Sequence, residues 1–127
     1  MNALEQLIQS MDSDSLWYFM RESGIGDVAT HALRGCSQDI REKYFNSAAM
    51  PYRVIVVGEF LAGSAIKAKE IADAQQKLAD IKPGQTKEED AQQKLADIVY
   101  AQIKEVVDAQ QEFINLEKKF RKPDVTM

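Results

Sequence analysis

The chain has 127 residues and a net charge of −4, and 45% of its residues are hydrophobic while 28% are charged. This size and balance predict one soluble domain with a hydrophobic core, and they exclude a wholly disordered chain. A protein that binds nucleic acid needs a basic surface, which the acidic net charge argues against, so we exclude that class. A lone cysteine, no leader sequence and no membrane-spanning run together predict a cytoplasmic protein.

Capping and chain-breaking residues divide the first part of the chain into predicted helices. Asp12 begins a helix that Gly24 ends, because an aspartate side chain caps a helix N-terminus and glycine suits the C-terminal turn. Residues 27–34 form a second, short helix that closes at Gly35. Ser37 then caps a third helix.

The middle of the chain predicts two more helices. Pro51 suits the first turn of a fourth helix that ends near Gly63, and Ser64 caps a fifth that runs to residue 81. Residues 54–57, VIVV, favour a strand by propensity alone. We predict a helix there because the chain contains no evident partner strand.

A long helix is predicted at the C-terminal end. A break at Pro83 and Gly84 precedes a capping box of Thr86 with Glu89, and nothing interrupts a helix before Lys122 and Pro123. Such a helix would be roughly 54 Å long, so part of it should protrude or pair. One apolar stripe follows a spacing of three and four, which fits packing within this chain at least as well as a coiled-coil partner. Its members are Leu95, Ile98, Val99, Ile103, Val106, Phe113 and Phe120.

The sequence also contains an internal duplication. Residues 73–81 and 90–98 are the same nine residues, DAQQKLADI, and each copy places a leucine and an isoleucine three apart. The spacing is much shorter than the repeats of helical solenoids, which indicates a local duplication. We expect the copies to form a helical hairpin, with one copy completing the core and the other open to exchange with a neighbouring chain.

The residues offer little catalytic chemistry. His31 is the only histidine, which excludes a histidine-based metal cluster, and Cys36 has no base near it in sequence. We interpret His31 as a surface or partly buried side chain and Cys36 as a packing residue. The sequence therefore predicts no enzyme, no cofactor, no metal site and no small-molecule substrate.

Several motifs, in order, carry a family resemblance. They are LEQL at residues 4–7, DSDS at 12–15, ALRG at 32–35, DIREKYF at 39–45 and AQQKLADI at 74–81. Together they resemble the C-terminal domain of the bacterial flagellar motor switch protein FliG. The resemblance implies an all-α, compact, armadillo-like multi-helix bundle over residues 1–85, here followed by the long helix over residues 86–127.

The resemblance also implies a function by protein–protein contact. The family's domain presents a charged ridge to the cytoplasmic loop of the stator, and its charges correspond here to Arg34, Glu59 and Lys67. Two other ridge charges are replaced by Pro51 and Gly58. We therefore expect a FliG-like rotor protein at the flagellar basal body, peripheral to the inner membrane, which contacts the stator loop or other switch-ring proteins. The alternative is a cytoplasmic helical adaptor without a motor role that self-associates through its C-terminal helix.

Overall fold

A computed structural model describes residues 1–82, 84, 86–121 and 123. This described part is helical and has no strand, which confirms the all-α prediction and the helical assignment of residues 54–57. Its helices are α1 (Ala3–Ser10), α2 (Ser13–Ser23), α3 (Gly26–Leu33), α4 (Gln38–Ser47), α5 (Tyr52–Ala79) and α6 (Thr86–Lys119).

The predicted helix ends in the first part of the chain are confirmed. The Asp12 side chain accepts a hydrogen bond from the backbone N–H of Ser15 at 2.7 Å and so caps α2. Gly24 ends α2 in the left-handed conformation, with φ of 61°, where a side chain would be strained. The Ser37 hydroxyl accepts from the backbone N–H of Ile40 at 3.4 Å and caps α4.

Helix α1 was not anticipated from the sequence. Asn2 and Glu5 form a capping box at its start, and Leu4 and Ile8 are fully buried in the core. The Glu5 carboxylate also accepts from the backbone N–H of Ser37 at 2.8 Å. This one acid therefore caps α1 and ties it to the start of α4.

The prediction of two helices over residues 51–81 is wrong, because α5 is a single helix across Gly63 and Ser64. A β-carbon on Gly63 would lie 3.1 Å from the Thr30 methyl carbon, so this glycine lets α3 approach α5 closely. Glycine in a helix interior costs about 1 kcal/mol, which the packing of α5 on its neighbours offsets.

The centre of the core is an aromatic cluster that joins three helices. Phe113 of α6 lies with its ring centroid 5.0 Å from that of Phe19 in α2 and 5.9 Å from that of Tyr44 in α4. All three side chains are buried. The C-terminal half of α6 thus completes the same core as the earlier helices. Gln85, the last residue of the predicted bundle segment 1–85, lies outside the described residues.

Helices α5 and α6 form a long antiparallel hairpin, and the duplicated segments lie at its free end. This confirms the hairpin arrangement of the two copies, but the expectation that one copy completes the core is wrong, because no residue of either copy belongs to the core cluster. Gly84 turns the chain between the two helices with φ of 86°. Three parts of the earlier predictions lie outside the described residues: Pro83, the Thr86 side chain of the predicted capping box, and Lys122. Of the predicted apolar stripe, Phe113 is fully buried and most members are half-buried, but Ile103 is 57% exposed.

Candidate functional site

The ALRG segment packs at the end of α3 against the middle of α6. Ala32 and Leu33 are fully buried. The Gln110 amide of α6 donates to the carbonyl oxygen of Ala32 at 3.2 Å and so satisfies one of the carbonyls at the helix end. The motif therefore serves first as the joint between α3 and α6.

Gly35 fits this joint because a side chain would not. A β-carbon there would lie 2.5 Å from Gln110 Nε2 and 2.7 Å from Val106 Cγ1. Both distances are shorter than van der Waals contact, so the close approach of the chain to α6 requires glycine at this position. The reason is packing, since Gly35 has no positive φ.

Arg34, the charged residue of the motif, lies in a cluster centred on Glu105 of α6. One oxygen of the Glu105 carboxylate lies 2.5 Å from Arg34 Nη2, 3.0 Å from His31 Nδ1 and 3.5 Å from Lys67 Nζ. We call these four residues the Glu105 cluster. It joins α5 and α6 to the end of α3 and gathers three basic side chains around one acid.

The Nδ1 atom of His31 makes two contacts: one requires that Nδ1 carry no proton, and the other requires that it carry one. Its Nδ1 lies 2.7 Å from Arg34 Nη2, a contact in which Nδ1 must accept, and 3.0 Å from Glu105, where it must donate. A neutral ring with a bare Nδ1 accepts from Arg34, whereas a protonated ring donates to Glu105. The position of this proton therefore decides which neighbour holds the ring.

Glu105 remains ionised in this setting. Burial acts to raise the pKa of its carboxyl, but the hydrogen bond from Arg34 and the charges of His31 and Lys67 outweigh burial and lower the pKa below 4.5. The Glu105 carboxylate is consequently a fixed negative charge at neutral pH and is not suited to act as a proton donor.

Lys67 is held further by its own helix pair. The Gln102 amide of α6 donates to the backbone carbonyl of Lys67 at 2.9 Å, and Glu70 lies 3.9 Å from the Lys67 ammonium. The Lys67 side chain is 25% exposed and that of Arg34 only 11%. Both predicted ridge cations thus meet each other through Glu105 and face the interior of the chain.

Glu59, the third residue implied by the resemblance, lies apart from this cluster. It is exposed on the first half of α5, and its carboxylate faces Gly26 at the start of α3. Eight residues separate it from Lys67 on the same helix, a rise of about 12 Å. The structure therefore brings two of the three residues together and leaves the third on another part of the surface.

The surface of α5 around Glu59 is mostly apolar. Val54, Ile55 and Leu61 are 60%, 53% and 61% exposed. Arg53 turns inward, where its guanidinium donates to the backbone carbonyls of Asn46 and Ala48 at 2.8 and 3.0 Å. We call the three exposed residues the α5 apolar face.

An open groove of about 760 Å³ runs beside the Glu105 cluster between α5 and α6. Arg34 Nε and Ser64 Oγ are buried at its wall and have no hydrogen-bond partner among the described residues. Both atoms are closed off from solvent, so a ligand in the groove would reach neither without movement of the side chains. The groove therefore defines no binding site.

Cys36 packs in the core, as predicted. Burial, followed by the negative charge of Glu5, raises the pKa of the Cys36 thiol to about 11, so the thiol stays protonated at neutral pH. Among the described residues no group of three or more histidine, cysteine or acidic side chains could hold a metal ion. No helix in the same part of the chain is long and apolar enough to cross a membrane.

Glu105 and Gln110 are the residues of this site that sequence reasoning missed. Glu105 lies 71 positions from Arg34, and nothing local to either residue indicates their contact. A signal did exist: Glu105 shares a spacing of four with the buried Ala109, Phe113 and Glu117. An acid in register with buried positions on a helix is a candidate for pairing.

Comparison of the chain with models of protein families, with curated proteins and with solved structures finds no match. The resemblance to FliG therefore stays a prediction that rests on the sequence motifs.

Proposed function

We propose that this chain is a non-enzymatic, FliG-like rotor protein of the flagellar switch, which contacts its partner through the α5 apolar face. The observation that carries the proposal is that face: three large aliphatic side chains lie exposed on the helix that corresponds to the family's ridge. Exposed aliphatic side chains that lie together on one helix are typical of a protein contact surface. The partner by resemblance is the stator cytoplasmic loop or another protein of the switch ring.

The charges of the site support an apolar contact. Arg34 and Lys67 are both engaged with Glu105, and Arg53 bonds the end of α4, which leaves Glu59 as the exposed charge of residues 51–61. An exposed ion pair contributes at most about 1 kcal/mol and weakens with salt. A single such charge would hold a stator loop weakly.

Burial of the apolar face would supply more free energy. Complete burial of a valine, leucine or isoleucine side chain contributes about 1.5–3 kcal/mol, and each of these side chains is already partly covered. Val54, Ile55 and Leu61 together would thus contribute about 2–4 kcal/mol to a complex. Such a contact depends little on salt and lasts longer than one made by exposed charges.

A second candidate is a helical adaptor without a motor role. The internal pairing of Arg34 and Lys67 favours it, because these two charges are then explained by the stability of the chain and need no external partner. The same α5 apolar face would bind an adaptor's target.

The two candidates are separated by cross-linking in the native cell. A photo-reactive amino acid at Ile55 probes the α5 apolar face, and the same group at Val107 of α6, which is 57% exposed, is the matched control. Stator or switch-ring proteins captured from Ile55 and not from Val107 support the rotor. Another protein captured with the same preference supports the adaptor. Equal capture from both positions, or none, refutes a contact through this face.

A surface substitution provides the functional test. Ile55→Asp should abolish motility if the rotor proposal holds, whereas Val107→Asp should leave it intact, with both variants as helical as the wild type by circular dichroism. Normal motility in the Ile55→Asp strain would refute the rotor role and leave the adaptor.

A further inference from the structure

The two duplicated segments share a pattern of burial as well as a sequence, although Asp80 and Ile81 follow the end of α5 whereas Asp97 and Ile98 lie within α6. In both copies the alanine at the second position, the leucine and the isoleucine are at least half-buried, and the other six positions are exposed. The side-chain bonds repeat too: Gln76 donates to Asp80 at 2.8 Å and Gln93 donates to Asp97 at 2.8 Å. The buried residues are Ala74, Leu78 and Ile81 in the first copy and Ala91, Leu95 and Ile98 in the second.

The register of the hairpin places the copies symmetrically. Lys67 of α5 faces Glu105 of α6 at 3.5 Å, and Glu70 faces Gln102 at 3.4 Å, so the helices approach the loop in step. Equal steps along both helices bring Lys77 opposite Leu95, one residue from Lys94, so the central lysines of the two copies lie close to opposite positions. Both lysines indeed line the same two grooves between the helices.

A local two-fold axis therefore passes close to the central lysines. Because the copies are identical and antiparallel about this axis, the face that one copy presents to the other is complementary to itself. Two chains carrying a single copy each would meet through the same pair of faces in the same register. Asp73 and Asp97 lie beside the two lysines in the shared groove and reduce the repulsion between them.

We propose that the duplicated segment is a self-association element whose partner is a second copy of this chain. Opening of the hairpin at residues 82–89 lets α5 of one chain pair with α6 of another and gives a two-fold symmetric dimer with the same helix contacts. The duplication makes this pairing possible within one chain. The inference stands independently of the rotor proposal.

Concentration decides between the closed and exchanged forms. In the closed form the two copies of one chain pair with each other, and in the exchanged form each copy pairs with a copy of a second chain. Since both forms bury the same surfaces, their free energies differ mainly through the loop and through the effective concentration of the second copy. The short connection, with Gly84 turning at φ of 86°, favours the closed monomer in dilute solution. Refolding at high concentration should therefore give a fraction of dimer, and refolding at low concentration should give monomer.

The sharpest test removes one copy and the loop by deletion of residues 73–89. Ala72 then joins Asp90, and because the copies are identical the sequence of α5 runs unchanged through residue 98. A continuous helix cannot return on itself, so Phe113 can reach the core only of a second chain. We expect a helical dimer by light scattering, whereas the full chain under the same dilute conditions is a monomer.

Two pairs of variants in this one-copy chain test the interface. Leu95→Asp should prevent the dimer, whereas Gln92→Asp, on the exposed side, should not. With Cys36→Ala as background, Lys94→Cys close to the symmetry axis should cross-link to its own copy with a short bismaleimide, and Gln92→Cys should not. A folded monomer, a chain that fails to fold at any concentration, or equal cross-linking at both positions overturns the proposal.

The full chain supplies a test that does not depend on the deletion. In the Cys36→Ala background, the double variant Lys77→Cys and Lys94→Cys places two cysteines in one chain. Under dilute conditions these two cysteines should form a covalent bridge to each other within that chain. The bridge should block exchange when the protein is refolded at high concentration. Absence of the bridge overturns the register, and a full chain that stays monomeric at every concentration overturns the exchange.

Discussion

Replacement of Glu105 by glutamine tests the Glu105 cluster most directly. The glutamine side chain has nearly the same shape and can still accept from Arg34, but it removes the negative charge that faces Arg34, His31 and Lys67. Three basic side chains are then left close together without the acid between them, although Glu70 still lies 3.9 Å from the Lys67 ammonium. We expect Glu105→Gln to destabilise the folded chain without changing its helical content.

The expected magnitude follows from how exposed each partner is. The contact with Lys67, at 3.5 Å and 25% exposure, contributes at most about 1 kcal/mol. Arg34 is 11% exposed, so its hydrogen bond to the carboxylate contributes more, about 1.5 kcal/mol, because a nearly buried cation loses its counter-charge. Partial exposure of Glu105 itself, at 36%, limits the total to about 2 kcal/mol.

Urea unfolding followed by circular dichroism measures this loss. For a domain of this size a loss of about 2 kcal/mol lowers the urea midpoint by about 1 M. Glu112→Gln, at an exposed position on the same helix, is the matched control and should change stability by less than about 0.5 kcal/mol. Double-mutant cycles with Arg34→Met and Lys67→Met should show the larger coupling for Arg34.

The pH dependence provides the decisive control. Since the pKa of Glu105 is lower in the folded chain than its ordinary 4.5, the carboxylate stabilises the fold fully above that value. This contribution is lost as pH falls through the lowered pKa, so the difference in stability between wild type and Glu105→Gln should shrink below about pH 4.5. Equal stabilities at pH 7, or a difference that does not change at low pH, would refute the cluster as a stabilising unit.

Two further predictions concern the ALRG joint and the core. Gly35→Ala should destabilise the chain by about 1–3 kcal/mol in urea unfolding, because the added carbon meets α6 at 2.5 Å, whereas Gly58→Ala, with open space around it, should stabilise α5 by about 0.5–1 kcal/mol. Similar effects at the two glycines would contradict the close approach at Gly35. The Cys36 thiol, with burial raising its pKa to about 11, should react with a thiol reagent at pH 8 many times more slowly in the native chain than in urea. Fast reaction of the native chain would show that Cys36 is exposed.

Features that depend on neighbouring residues could be predicted from the sequence. Asp12, Gly24 and Ser37 define helix ends because a cap is a bond between residues two or three positions apart, or a backbone angle at one residue. The all-helical class and the length of α6 follow from the same local rules. These interactions do not depend on the rest of the fold.

Features that depend on distant parts of the chain could not. Gly63 has the sequence signature of a helix end, yet α5 continues through it, and the glycine instead allows Thr30 of α3 to lie close by. Arg34 and Lys67 could be singled out by resemblance, but their common partner Glu105 could not. The periodicity of α6 marks Glu105 as a candidate for pairing, but no spacing along the chain shows which residues are its partners.

The duplicated segments combine features that depend on neighbouring residues with features that depend on distant parts of the chain. The sequence by itself determined that residues 73–81 and 90–98 are identical and helical, since identity and local propensity are properties of the chain alone. The antiparallel arrangement of the copies, with Lys77 close to Lys94, follows only from the folded structure, because the packing of α5 and α6 around Glu105 and Gln102 sets their register. That register depends on side-chain contacts between residues more than 30 positions apart, and those contacts exist only once the helices have docked.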